Sequence, residues 1–292
     1  MTPHARGLLL IILSASAYSL AGFFTRLISL DIWTTLFWRG LFAGAFIGAF
    51  ILWRERRNAL PAIRAIGWPG FVAALLSTAA TVMFLNAFRL TSVADVMVIA
   101  ATIPFFTAAI GWLWLREKES WSTLAGSLGA LFGVSVMVGG AVGRGHLLGD
   151  VLAFGMASSM AVVLLIIRRH RDISMLPAAC LSALLCPLLV WPVATPLVVT
   201  GTDLALLVLF GTVQFGLGLI FLALGGRLVS ATENALVSTL ETPAAVIWVW
   251  LAFQEVPPAA SVVGGAIVMA AVAGHIGWTA RGARERTPGI AG

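Results

Sequence analysis

Residues 227–255, RLVSATENALVSTLETPAAVIWVWLAFQE, repeat residues 89–117, RLTSVADVMVIAATIPFFTAAIGWLWLRE. Each copy sets Arg-Leu, a serine, an acidic residue, a long apolar run broken by one proline, and a closing glutamate. The start-to-start shift, from residue 89 to residue 227, is close to half of the 292 residues, so the chain reads as two tandem halves. The copies differ at one point. Where the first has Thr102, Ile103 and Pro104, the second has Glu241, Thr242 and Pro243 and one extra residue. That puts a carboxylate near the middle of an apolar span, where charge is costly and marks a candidate functional site.

Composition places the chain in a bilayer. Hydrophobic residues make up 60% and charged residues 10%, against about 25% charged in soluble domains. The net charge of +6 does not point to nucleic acid, because the basic residues fall in short clusters between apolar runs, as membrane topology requires. Cys180 and Cys186 share one apolar run but lie on different helix faces, so they read as core fillers rather than a disulfide. His4 and Arg6 ahead of Leu8–Leu13 and Ala15-Ser16-Ala17 resemble a secretory signal. However, the apolar run continues to Ile28, and residues 149–168 (GDVLAFGMASSMAVVLLIIR) echo residues 7–26, so the first segment is expected to be a retained span.

Apolar runs of about 20 residues fall near 7–28, 32–53, 67–88, 94–115, 120–140, 147–168, 174–196, 204–226, 232–253 and 258–278. The expected fold is all-α: a polytopic membrane protein of ten transmembrane helices built as two inverted five-helix repeats, 1–143 and 144–280, with a short basic tail at 281–292. An odd number of spans in each half forces the inversion. Arg54, Arg56, Arg57, Arg64, Arg168, Arg169, Arg171, Arg281, Arg284 and Arg286 then share one side with Arg6, while Arg26, Arg89 and Arg144 face the other. By the positive-inside rule both termini are cytoplasmic. Ser92 to Asp95 and Ser230 to Glu233 read as capping boxes. Tryptophans such as Trp53, Trp68, Trp112, Trp191 and Trp278 sit near span ends as an aromatic belt. Gly40, Gly44 and Gly48 open a close-packing face.

Sorting ionisable groups by depth leaves Arg39 and Glu241 inside spans. Each is a candidate partner for the other or for a charged substrate group, and Arg39 could instead snorkel towards Asp31. Helical spacing puts Ser238 and Trp248 on the face of Glu241. Ser14 and Tyr18 in the first span, Asn86 in the third, Thr102 in the fourth and Gln214 in the eighth are further mid-span polar groups. The hydroxyls among them also have the option of bonding back to their own helices. Pro104 and Pro243 each free a backbone carbonyl, as a kink or a ligand contact, and are candidate hinges.

The proline run closing on Leu115-Arg116-Glu117, and Glu241-Thr242-Pro243 closing on Gln254-Glu255 at the repeat spacing, resemble the EamA-type carriers of the drug/metabolite transporter superfamily. Within it the chain is similar to amino-acid exporters of the YddG type, although Thr242 here separates the glutamate from the proline. The resemblance implies a cavity walled by helices one to four and six to nine, with the glycine-rich fifth and tenth as supports, in a multi-pass protein of the bacterial inner membrane. It implies export of small metabolites, above all aromatic or apolar amino acids, by alternating access. Drug or other metabolite efflux coupled to protons is the alternative within the superfamily.

Rival classes fare worse on the residues. An intramembrane enzyme lacks a visible Ser-His or metal-ligand constellation, since His4, His146, His170 and His275 lie near span ends or in loops. A channel or scaffold would not need an inverted repeat. One deep arginine does not suit a sugar phosphate, which leaves a net-neutral, partly apolar solute. Trp38, Phe84 and Trp248 would face its side chain, and Glu241 with the polar helix groups its zwitterion. No cofactor, metal or nucleic acid is expected. The partners are the solute and the lipid, and one monomer is sufficient for the cavity.

Overall fold

The computed structural model describes residues 2–56, 61, 64–115, 121–141, 146–170, 176–229, 234, 237–238 and 240–285, and these are helical throughout their ordered elements. In chain order the helices are α1 (Pro3–Ser19), α2 (Ala21–Leu27), α3 (Ile32–Glu55), α4 (Gly67–Leu90), α5 (Val93–Ala101), α6 (Ile103–Leu115) and α7 (Trp121–Ala141). The second half supplies α8 (Leu147–Arg169), α9 (Leu176–Val190), α10 (Gly201–Leu209), a π-helical segment (Phe210–Leu217), α11 (Gly218–Gly225), α12 (Glu241–Phe253) and α13 (Ala259–Glu285).

Short polar side chains start these helices. Thr2 accepts the Ala5 N–H at 3.2 Å with Pro3 at the first helical position, where its missing donor costs nothing. Asp31 takes the Trp33 and Thr34 N–H groups, at 3.0 and 2.9 Å, and Ser92 takes that of Asp95 at 3.0 Å. Ser92 thus caps α5 as expected, while the Asp95 carboxylate accepts from the Ser92 hydroxyl at 2.7 Å; Ser230 and Glu233 lie outside the described residues.

Helical elements fall within all of the expected stretches, from one to three in each, and in 232–253 the helix is Glu241–Phe253. Among the described residues, five are long and apolar enough to cross a membrane: Pro3–Leu27 taken together, Ile32–Glu55, Gly67–Leu90, Leu147–Arg169 and Gly201–Gly225. The pair Val93–Ala101 and Ile103–Leu113, bent by 41°, makes a sixth. Leu176–Val190, Glu241–Phe253 and Ala259–Gly274 are apolar but shorter. The expected span at 174–196 stops at Val190 because Pro192 and Pro196 cannot donate to a continuing helix, and the chain turns there instead.

The halves interleave. Helix α1 packs on α11, α3 on α9, α4 on α8, α5 on α12 and α7 on α13. Glycine decides how closely they meet. A Cβ on Gly40 would lie 2.7 Å from both the Ala183 carbonyl oxygen and the Pro187 Cδ, and one on Gly133 would lie 2.6 Å from the Gly264 carbonyl oxygen. The stripe expected at Gly40 and Gly44 therefore seats α9, and the glycines of the fifth and tenth spans seat these helices against each other. Trp53, Trp68, Trp112, Trp191 and Trp278 are all exposed on the outer surface, and both cysteines are free.

Gly40→Val is expected to destabilise the protein by about 1–3 kcal/mol through overpacking. Gly274→Ala, with nothing within 4 Å of the new carbon, should be neutral or stabilising by up to about 1 kcal/mol. Thermal unfolding in detergent compares the two, and equal losses would contradict the packing argument.

Candidate functional site

An α-helix advances about 100° per residue, so Phe210 and Phe215 would sit roughly 140° apart in one. The π-helical segment closes i to i+5 instead and stacks them on one face. The guanidinium carbon of Arg39 lies 4.8 Å from each ring centroid. Gln214, from the same wide turn, accepts a hydrogen bond from Arg39 Nη2 at 3.0 Å and donates through Nε2 to the Tyr18 carbonyl at 3.3 Å. Tyr18 meets Phe215 edge to face at 6.4 Å, and Ser14 donates to the Gly218 carbonyl at 2.7 Å. Arg39 and Gln214 are 5% and 2% exposed. The segment can approach because Gly211 has no side chain: a Cβ there would lie 2.8 Å from the Arg39 carbonyl oxygen.

Four expected site residues, Ser14, Tyr18, Arg39 and Gln214, therefore converge from the first, second and eighth spans. Glu241 lies close enough to Tyr18 to act on it electrostatically, as Arg39 does, without an ion pair to Arg39; the remaining ones are placed elsewhere. Asn86 donates to the Val82 carbonyl at 2.8 Å and Thr102 to that of Ile99 at 2.6 Å, each within its own span. Thr102 borders an apolar cavity of about 80 Å³ with Phe105, Phe106, Ala130, Val134 and Phe154, towards the supporting helix α7 rather than towards Arg39. Trp38 donates to the Pro196 carbonyl at 3.2 Å, Phe84 packs on Phe88, and Ser238 bonds Asn234 at 3.4 Å. Trp248 donates to Ser19 at 3.1 Å, which fixes it beside the first span. The Arg39–Glu241 pair is not formed among the described residues, nor does Arg39 snorkel to Asp31, whose carboxylate caps α3.

Glu241 does not interrupt a continuous helix. Thr102 N–H bonds the Ile99 carbonyl at 3.0 Å and Phe106 N–H that of Thr102 at 3.1 Å. Leu240 N–H bonds the Val237 carbonyl at 3.1 Å, and Ala244 N–H that of Leu240 at 3.2 Å, at the same shift along the chain. The break is thus repeated, and α6 and α12, of 13 residues each, begin at Ile103 and Glu241. The half-buried carboxylate stands at a helix N-terminus, where the backbone dipole favours it. Pro104 and Pro243 are exposed residues of a first turn, so their missing donors cost no internal hydrogen bond. The Thr239 carbonyl that Pro243 was expected to free lies outside the described residues.

Residues 5–139 match the EamA-like transporter family. A curated relative, solute carrier family 35 member G1 of Mus musculus, is 32% identical over 111 residues, which cover 34% of this chain and 30% of that protein. The chain thus spans less than a third of that relative's length. A protein of known crystal structure superposes with a TM-score of 0.67 at 17% identity, over 95% of this chain and 98% of its own, which shows a shared fold.

The sequence did not announce a second polar cluster, at the end carrying Arg26, Arg89 and Glu255. Arg26 grips Glu255 with Nε and Nη2, at 2.8 and 3.2 Å, and reaches the Thr91 carbonyl at 3.1 Å. Glu255 also accepts the first N–H of α5, from Val93, at 3.1 Å. Thr91 donates to Asp150 at 2.9 Å, and Ser261 donates to Asp95. Nearby, Thr195 bonds Thr34 and Asp31. Every one of these contacts except the Thr91 carbonyl joins the first half to the second. Asp95, read as a cap, is thus also a joint, and the acids were legible only as repeat boundaries.

Glu255→Gln removes the charge that holds this joint. In a background without Cys180 and Cys186, a Val93→Cys probe, buried in the parent, should react with impermeant maleimide about fivefold faster, equivalent to ~1 kcal/mol for a partly exposed pair. An unchanged rate would mean that the pair does not hold this end shut. Asp31 supplies a pH test. Partial burial raises its carboxyl pKa, but hydrogen bonds from Thr34, Trp33 and Thr195 outweigh that and hold it below the ordinary 3.8. A depressed pKa means that the stabilisation is present above that value and is lost as pH falls through the folded one. Asp31→Ala should therefore cost about 1 kcal/mol at pH 7, and the difference should close below pH 3.8.

Proposed function

We propose that this protein exports small, net-neutral metabolites, aromatic or apolar amino acids foremost, by alternating access between two inverted five-span halves. The observation that carries the reading is the buried cross-half constellation of Arg39, Gln214, Tyr18 and Ser14 on an irregular stretch of helix. Polar groups and wide turns at membrane depth are costly and gather at solute pathways. The inverted repeat is supported by the packing: exchanging the halves turns α1 on α11 into α8 on α4, and returns α3 on α9, α5 on α12 and α7 on α13 to themselves. It is supported again by the duplicated break at Thr102 and Leu240.

In this reading the arginine-rich loops and both termini are cytoplasmic, in a bacterial inner membrane. The Arg26–Glu255 joint then closes the outer face, and the described conformation is sealed on the export side. Glu241, at the second break, and Trp248 and Ser238 beyond it face the solute as it passes, while Pro104 and Pro243 lie beside the two moving breaks. Glu241 is a single carboxylate rather than a link in a chain of acids, which favours facilitated transport over obligatory proton coupling.

Purified protein in liposomes tests this. Labelled phenylalanine should show saturable counterflow, with no accumulation driven by a pH gradient. A chemically altered product in the lumen would indicate an enzyme, and non-saturating flux a channel. Robust accumulation on a pH gradient would favour proton-coupled efflux.

A further inference from the structure

Arg39 carries a permanent charge, 5% exposed, with no acid within ion-pair distance among the described residues. Among those residues its side chain makes one hydrogen bond, to a neutral amide, and its Nε–H has no acceptor. A buried cation left this way is strongly unfavourable unless something supplies the missing anion. The surroundings restrict how that anion can arrive. Phe210 and Phe215 each place a ring centroid 4.8 Å from the guanidinium carbon and so take up part of the space around it. Gln214 occupies Nη2, which leaves the orphaned Nε edge.

We propose that Arg39 is the counter-ion for the carboxylate of the transported solute, and that this carboxylate, not the ammonium group, is what the site selects. The proposal rests on the transport reading above and narrows it. Two carboxylate oxygens match two N–H groups of a guanidinium in one plane, which a lysine cannot reproduce. The two rings brought by the π turn and the hydrogen bond to Gln214 restrain the guanidinium before the solute arrives. One guanidinium neutralises one charge, which favours monocarboxylates over dianionic phosphates. The rings leave an apolar surface for the remainder of the molecule.

The test uses purified protein with phenylalanine, 3-phenylpropanoate, 3-phenylpropanamide and phenethylamine. At about ten times Kd, both carboxylates should raise the thermal midpoint by about 2–4 °C, and the amide and the amine should not. Arg39→Gln should abolish the response, and Arg39→Lys should weaken it about tenfold by losing the planar fork. In liposomes, 3-phenylpropanoate should inhibit phenylalanine counterflow. Equal stabilisation by the amide, a full response in Arg39→Gln, or no response from the parent to either carboxylate would overturn the proposal. The contrast between carboxylate and amide in the parental protein decides the matter even where a variant fails to fold. Arg39-dependent stabilisation by carboxylates without any flux would leave the anion site standing and refute the transport reading.

Discussion

Inside a bilayer a polar group has no water to turn to, so each must find its partner within the protein. This chain meets that constraint mainly across the joint between its halves. Arg39 with Gln214, Thr78 with Ser182, Arg26 with Glu255, Thr91 with Asp150 and Asp95 with Ser261 all link a residue of the first half to one of the second. Apolar packing alone would let two halves slide, because lipid tails are as apolar as the helices. Directional bonds at a few depths define the registers in which the halves can rest.

Glycine and the wide turn make those bonds geometrically possible. Gly40 and Gly211 bring α3 against α9 on one flank and the π segment on the other, so the arginine on α3 reaches across without stretching. The π segment then brings two phenylalanines five residues apart to the guanidinium. The peripheral helices α7 and α13 join each other through glycine contacts instead.

The helical architecture was largely legible, because an apolar run long enough to cross hydrocarbon, ended by arginine or tryptophan, has few other meanings. Depth was legible too: Ser14, Tyr18, Arg39 and Gln214 stood out as polar residues in apolar runs, and all four meet. What could not be read was direction and partnership. Thr102 and Asn86 turn back on their own helices, a choice that depends on rotamers and neighbours rather than on spacing. The residues FGTVQFGL read as ordinary helix, and only tertiary packing selects the wider turn. Glu241 looked like a charge buried mid-helix because sequence alone does not show that the helix restarts there. Arg26 and Glu255 lie 229 residues apart and had no local signal to join them.

The two polar bridges in the core differ in kind. Thr78–Ser182 joins the third and seventh spans, and Arg39–Gln214 joins the second and eighth, which a half-turn about the joint would interchange. Only one of the two bridges holds a fixed positive charge. A rocking motion that shifts that bridge along the membrane normal therefore does electrical work against the membrane potential, up to ~2.3 kcal/mol per 100 mV for a complete crossing. In the proposed cycle a monocarboxylate docked on Arg39 leaves the moving complex neutral, whereas the empty protein, or one holding a net-neutral zwitterion, carries one positive charge. The voltage-sensitive half of that cycle would then be the return stroke for a monocarboxylate, whereas a zwitterion would leave the same charge on both strokes, so the transmembrane voltage would act differently on turnover of the two kinds of solute.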